Sequence, residues 1–322
     1  MKAILLTEKG HWPTLADWPN PIPTLGQTVV KLQAAALNHR DVWISKGQYA
    51  GIVAPCILGS DGAGELADGR RVIINPGIGW HDDTPAQPAD YHVLGMPAHG
   101  TFAEYVAIDA TQIFDIPTHL DFESAAALPL AGLTAWRTLM TRCQLQHGER
   151  VLISGVGGGV ALFAAQFAIA AGAEVWVTSS SETKIERAIS LGALGGISYK
   201  TPNWSKKLTT KAGGGFDVVI DSAVGEGFKD IVKCCNPGAR IGIYGGTQGA
   251  MSGVSPQIIF WKQLSILGST MGNTAEFRAM LAFVAKHQIQ PVIDTVFALS
   301  DGTAALKYME SGQQFGKIVL KT

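Results

Sequence analysis

The sequence is short of charge: Asp, Glu, Lys and Arg make up 16% of its 322 residues, and the formal net charge is −1. Nucleic acid and anionic membranes are held through clustered Lys and Arg, so neither is an expected partner. Cysteine is scarce as well. The four present (Cys56, Cys143, Cys234 and Cys235) include one close pair, and that pair is adjacent in sequence, so no disulfide framework is expected and reduced thiols are the simpler reading. No apolar stretch approaches the length of a membrane-spanning helix. The opening "MKAILLTEKGHWPTL" has an apolar run too short for a signal peptide and meets charge and proline at once, which points to the cytoplasm. There is no internal repeat and no low-complexity tract.

Apolar residues are abundant, at 47%, and 322 residues are enough for two packed units. The first hundred or so residues carry short β-type runs ("QTVVKLQAAAL", "GRRVIINPG", "GTFAEYVAID") between Gly and Pro turns, which describes an irregular, mostly β unit. From "DFESAAALPLAGLTAWRTLM" onward short apolar strands alternate with helical stretches, the pattern of an α/β unit with a parallel sheet. Its strands are read as "RVLIS", "EVWVTS", "FDVVIDS", "ARIGIYG" and "LSILGS". The last thirty residues read as strand, helix, strand and are expected to return to the first unit, since two strands cannot make a core alone. The expected division is 1–120 completed by 288–322, and 121–287.

"RVLISGVGGGVALFAAQFAIAAGAEVWVTSSS" is a buried-type strand, a glycine-rich turn, an apolar helix and a second strand. In a dinucleotide fold such glycines let the backbone approach a pyrophosphate, whose charge sits against the N–H groups and positive end of the helix. Gly155, Gly157 and Gly158 form the expected loop, with Gly159 and Val160 opening the helix. The end of the second strand decides between NAD and NADP, because an acid there holds the ribose 2′-hydroxyl and repels a 2′-phosphate. This chain has Thr178, Ser179, Ser180 and Ser181, then Lys184, so NADPH is the expected cofactor, with Glu182 close enough to oppose that choice.

Together "LNHRDVW", "LGSDGAGE", "GTFAEY", "LPLAGLTAW", "GVGGGV" and the terminal "GKIVL" resemble the medium-chain dehydrogenase/reductase superfamily over nearly the whole chain. The resemblance implies a Rossmann doubly wound parallel sheet plus an irregular, mostly β GroES-like catalytic domain. In the zinc alcohol dehydrogenases of that superfamily three positions bind zinc; here they hold Asn38, Ser60 and Leu130. None offers a thiolate or an imidazole, so metal catalysis is not expected. The lobe that binds a structural zinc in those enzymes is replaced by "GWHDDTPAQPADYHVLGMPAHG", without cysteine. His81, Asp82, Asp83, His92 and His99 in and around that segment are read as solvated loop residues ahead of a metal site.

The chain is similar to the zinc-free branch of NADPH:quinone reductases, zeta-crystallins and enone reductases. That similarity implies Asn38 and Tyr49 beside the nicotinamide, Thr134 at its carboxamide, and Gly246, Thr247 and Ser269 lining the same side. It further implies Ser180, Lys184 and Tyr199 around the 2′-phosphate, Ser179 and Lys317 of "GKIVL" among the cofactor contacts, and a homodimer formed through residues 264–270. Asn38 is equally suited to satisfying backbone groups at a turn, and Tyr49 to packing. Asp41 is read as fixing a loop or helix start. The expected activity is hydride transfer from NADPH to a quinone or an α,β-unsaturated carbonyl. An alcohol dehydrogenase and a non-catalytic NADPH-binding protein remain open as alternatives.

Overall fold

The computed structural model describes residues 1–82 and 84–322, in two compact units: Met1–Leu133 with Gly272–Thr322, and Thr134–Met271. These boundaries differ from those expected at 120/121 and 287/288. The helices Phe122–Ala127 and Thr274–His287 count with the first unit, although the sequence pattern groups them with the second. The Ala-rich face of Phe122–Ala127 buries Ala125, Ala126 and Ala127, and the helix packs on the strands Gln27–Ala36 and Asp61–Glu65.

The main sheet of the first unit is built around Gln27–Ala36, which pairs antiparallel with Asp61–Glu65, Tyr105–Asp109 and Lys317–Lys321. The terminal strand–helix–strand returns as expected: Ile293–Ala298 runs parallel to Lys317–Lys321 and extends the sheet. Small residues meet across the centre, with Ala34 opposite Ala63 and Ala35 opposite Gly62, and Ala36 lies opposite both Asp61 and Val319. That register brings Asn38, two residues beyond Ala36, to the same end as Asp61 and Lys317. Ile4, Leu37, Ile44, Phe102, Leu306 and Ile318 belong to one buried cluster beneath this end. Burying each such side chain stabilises the fold by roughly 1.5 to 3 kcal/mol. Gly100 shows how tightly the connecting loops pack, since a Cβ there would lie 1.9 Å from the Gly59 carbonyl oxygen.

The second unit is a six-stranded, all-parallel sheet in the spatial order Gly195–Ser198, Glu174–Ser179, Arg150–Ile153, Phe216–Asp221, Cys235–Ile243, Ser265–Gly268. In chain order this is 3-2-1-4-5-6, the doubly wound dinucleotide order, with the switch point between the first and fourth strands. Five strands lie where the apolar runs place them. The third, "GGIS", was not foreseen, because glycine reads as loop; here it serves close packing. A Cβ on Gly195 would meet the Trp176 ring at 2.6 Å, and one on Gly196 would meet Ile185 at 2.7 Å. The core contains Leu152, Phe216, Val219, Phe228 and Ile241. Among the described residues no helix is long and apolar enough to cross a membrane, and all four cysteines are buried free thiols.

Candidate functional site

In the second unit the first strand ends at Ile153, and the chain turns through Gly155 and Gly157, both at positive φ (+65° and +142°), before Gly158 caps the helix Gly159–Ala170. Those backbone angles are open to glycine and strained for other residues. The loop is tied down by the neighbouring strand: Gly155 N–H donates to Thr178 Oγ1 at 3.1 Å and Val156 N–H to the Thr178 carbonyl at 2.7 Å. The result is an exposed Gly155 and a helix whose first turn carries no side-chain cap, an arrangement suited to a phosphate group.

The residues expected around the cofactor follow the carboxyl ends of successive strands. Ser179 is buried, and its hydroxyl accepts from Ser181 N–H at 3.3 Å, which leaves Ser180 as the exposed hydroxyl. Ser181 caps the helix Glu182–Ser190 by accepting from Lys184 N–H, with Glu182 exposed in its first turn. The Lys184 side chain lies over the loop: a Cβ on Gly157 would sit 3.0 Å from its Cδ and 3.4 Å from its Nζ. Tyr199, 46% exposed, follows the third strand and donates its N–H to the Ser179 carbonyl at 3.1 Å. Gly246 and Thr247 are exposed after the fifth strand, and Thr247 N–H donates to the Ser222 carbonyl at 3.1 Å. Ser269 follows the sixth strand with a buried hydroxyl that lacks a partner among the described residues. The Thr134 hydroxyl lies 3.7 Å from the sulfur of Met271, which is two residues beyond Ser269.

At the switch point Asp221 is fully buried. Its carboxylate accepts from the Ser154 hydroxyl and, at 2.8 Å, from Val224 N–H. Val224 is held at positive φ, unusual for a β-branched residue. Burial pushes the Tyr244 phenol up to about 12, so it stays protonated and able to donate.

The first unit gathers a different set. Asp61 Oδ2 accepts from Lys317 Nζ at 3.0 Å and from Asn38 Nδ2 at 2.9 Å, and Asp61 Oδ1 accepts from Leu130 N–H at 2.8 Å. Lys317 also donates to the Leu37 carbonyl and to Asn38 Oδ1, both at 2.7 Å. The ammonium's three hydrogens thus have three protein acceptors. Lys317, expected from the resemblance among the cofactor contacts, is buried here and holds the Asn38 amide. Asn38 does not cap the helix His39–Ser45 through its side chain, which goes to Asp61 and Lys317. Its own N–H is taken by Asp41 at 2.8 Å. Burial pushes Asp41 up to about 6, against the lowering effect of the Arg40 charge. Burial likewise lowers His39, helped by the Lys317 charge.

Asn38 and Leu130 are joined through Asp61, Ser60 is held by Arg40 and the Leu94 carbonyl, and the three do not suit zinc. The Asn38 amide is occupied by Asp61 and Lys317, the Ser60 hydroxyl donates to the Leu94 carbonyl at 2.8 Å, and Leu130 brings an alkyl chain. Among the described residues no group of three His, Cys, Asp or Glu is placed to hold a metal ion. Of the loop residues weighed for one, Asp82 receives Ala275 N–H and Arg278, the His99 ring accepts Ile57 N–H, and Asp83 lies outside the described residues. Tyr49 is half-buried, with the Arg40 guanidinium 5.3 Å from its ring centroid. Arg40 and Asp61 were not foreseen as site residues. "HRD" and "GSD" show the charges, but the partners lie 20 to 256 residues away in sequence.

Comparison with known proteins agrees with this architecture. Residues 24–118 match the model of the alcohol dehydrogenase GroES-like domain, and residues 159–286 that of zinc-binding dehydrogenases. A zinc-type alcohol dehydrogenase-like protein of Schizosaccharomyces pombe is 36% identical, over 92% of this chain and 91% of its own. The quinone oxidoreductase of Rattus norvegicus is 29% identical, over 99% of this chain and 97% of its own. A crystal structure described as an NAD-dependent alcohol dehydrogenase superposes with a TM-score of 0.94 at 35% identity, covering all of both chains. With a GroES-like unit, a doubly wound sheet in the 3-2-1-4-5-6 order and relatives above 30% identity along its length, this chain belongs to the medium-chain dehydrogenase/reductase superfamily of oxidoreductases.

Proposed function

We propose that this protein binds NADPH and passes its hydride to a quinone or an α,β-unsaturated carbonyl without a metal ion. The observation that carries this reading is the filled network at Asn38, Ser60 and Leu130: those positions present an amide, a hydroxyl and an alkyl group already engaged within the protein. Oxidising an alcohol calls for a group that acidifies it, commonly a metal-bound site, whereas reducing an electron-poor double bond does not. Bound at the glycine loop, the reduced nicotinamide supplies the hydride. The protein's part is to seat the pyrophosphate at Gly155 to Val160 and to present donors to the acceptor's oxygen.

The names of two relatives favour the alternative, an alcohol dehydrogenase. A spectrophotometric panel separates the two. Loss of NADPH absorbance with quinones or enones, no reduction of NADP or NAD by alcohols, and no zinc by elemental analysis are expected. Alcohol oxidation abolished by chelation would reverse the assignment.

This reading includes a cytoplasmic homodimer. The edge strand Ser265–Gly268 leaves Ile266 38% exposed, beside a short helix whose Phe260 and Trp261 are 63% and 81% exposed. Such an apolar edge is commonly covered or paired. Light scattering at micromolar concentration should give twice the 34.0 kDa chain mass, and a monomer would remove the idea.

A further inference from the structure

Arg40 is the one cation of the first unit's buried network that meets no carboxylate within ion-pair distance among the described residues. It is 8% exposed. Its Nη1 donates to Ser60 Oγ at 2.6 Å and to the Leu94 carbonyl at 2.9 Å, both uncharged acceptors. Ser60 gives its own proton to the same Leu94 carbonyl, so its oxygen has only lone pairs to offer Arg40, and the plane of the guanidinium is fixed. Nε has no partner among the described residues, and neither does Nη2. Of the acids nearby, Asp61 is engaged with Lys317, Asn38 and Leu130, and Asp41 accepts Asn38 N–H through Oδ2 while its buried Oδ1 makes no hydrogen bond among the described residues. Asp41 feels the Arg40 charge without pairing with it.

A guanidinium does not lose its proton in a protein, and a buried charge is costly unless something answers it. The Tyr49 ring answers part, as a cation–π partner. The hydroxyl of Tyr91 is also buried without a partner among the described residues; burial holds it protonated, against the lowering effect of the Arg40 charge. What remains is a fixed cation with unused N–H groups and a phenol near it. Both can donate, and the cation can only donate.

We propose that the Arg40 guanidinium is the anion-binding group of this unit, and that it takes the oxygen on which negative charge gathers when a conjugated carbonyl is reduced. The proposal rests on the hydride-transfer reading above. In that step the hydride forms a C–H bond at the β-carbon and the nicotinamide is oxidised. The π-electron pair of the C=C bond shifts toward the carbonyl to leave an enolate oxygen, and water returns a proton to the α-carbon. Arg40 acts on the oxygen, where a preoriented charge is most effective in a site shielded from water.

The test uses 4-nitrophenol, a planar phenol whose anion carries its charge on one oxygen as an enolate does, and whose two forms differ in colour. With oxidised cofactor at saturation, the bound phenol should ionise about one to two pH units below the free phenol. This corresponds to a roughly tenfold to hundredfold preference for the anion. Arg40→Met should abolish the shift and lower kcat for enones more than it raises KM, and Arg40→Lys should recover part of both. A wild-type protein that does not bind 4-nitrophenol, or binds it with unshifted ionisation, overturns the proposal whether or not any variant folds. Shifted ionisation without turnover of any quinone or enone would keep the anion site and discard the proposed function. Turnover with normal kcat in a folded Arg40→Met protein would do the reverse.

Discussion

In the first unit the chemistry lies beneath the surface and in side chains: Asn38, Arg40, Asp41, Asp61 and Lys317 are each less than a tenth exposed and are held by contacts from five separate segments. In the second it lies at the carboxyl edge of the sheet and largely in backbone, through Gly155, Gly157 and the opening turn of one helix, with hydroxyls and Lys184 at the rim. A buried polar network is over-determined, so removing one member leaves others unanswered. An open loop is designed to be completed by a ligand, and a change at its rim should register in binding with little effect on folding.

The largest effect tests that contrast at Lys317. Replacing it by Met removes the ammonium and leaves Asp61 as a buried carboxylate with only Asn38 and Leu130 donating to it. Breaking a buried ion pair from one side costs about 3 to 5 kcal/mol. Chemical denaturation should show a loss of that size. A loss below about 1 kcal/mol would mean that the network is looser than its distances indicate.

Asp41 sharpens the comparison through pH. Its carboxyl is raised from 3.8 to about 6, chiefly by burial, so the folded protein holds this proton more tightly than the unfolded chain does. The stabilising contribution is complete below about pH 4 and is lost as the pH rises through 6, by about 3 kcal/mol in all. Asp41→Asn keeps an acceptor for Asn38 N–H and cannot ionise. The stability of wild type minus that of the variant should therefore fall by about this amount between pH 4 and pH 7. A difference that does not change with pH would show that the carboxyl is already ionised at pH 4.

The same contrast explains what could be read from the sequence. The glycine loop and the strands of the second unit are local patterns, in which a strand, turn and helix within about thirty residues carry their own signal. The buried network is not local. Asp61 and Lys317 are 256 residues apart, and only the register of Ala36 against both Asp61 and Val319 brings them together. Sequence alone placed Asn38 and Lys317 in the site by resemblance, without showing that they bind each other, and it gave Arg40 no role. The third strand was missed for the opposite reason: Gly195 and Gly196 are there to admit Trp176 and Ile185, a demand set by neighbours that glycine does not advertise.

The smallest effect belongs to the rim of the second unit. Lys184 lies over Gly157, the second strand ends in Ser179 and Ser180, and Tyr199 follows the third strand on the same edge. A ribose 2′-phosphate placed there would meet an ammonium and hydroxyls, with Glu182 as the nearest opposing charge in the helix's first turn. A hydrogen bond to a charged group is worth roughly 1.5 to 3 kcal/mol, about a tenfold to hundredfold factor in affinity. Lys184→Ala should weaken NADPH binding by that factor and leave NADH, which has no 2′-phosphate, nearly unchanged. The fold should be little affected, since the helix cap at Ser181 uses the backbone N–H of residue 184 and survives the change. Titration of both cofactors against both proteins decides the matter. Equal wild-type affinities, or equal losses for the two cofactors in the variant, would assign the choice to Glu182 and make NADH the working cofactor.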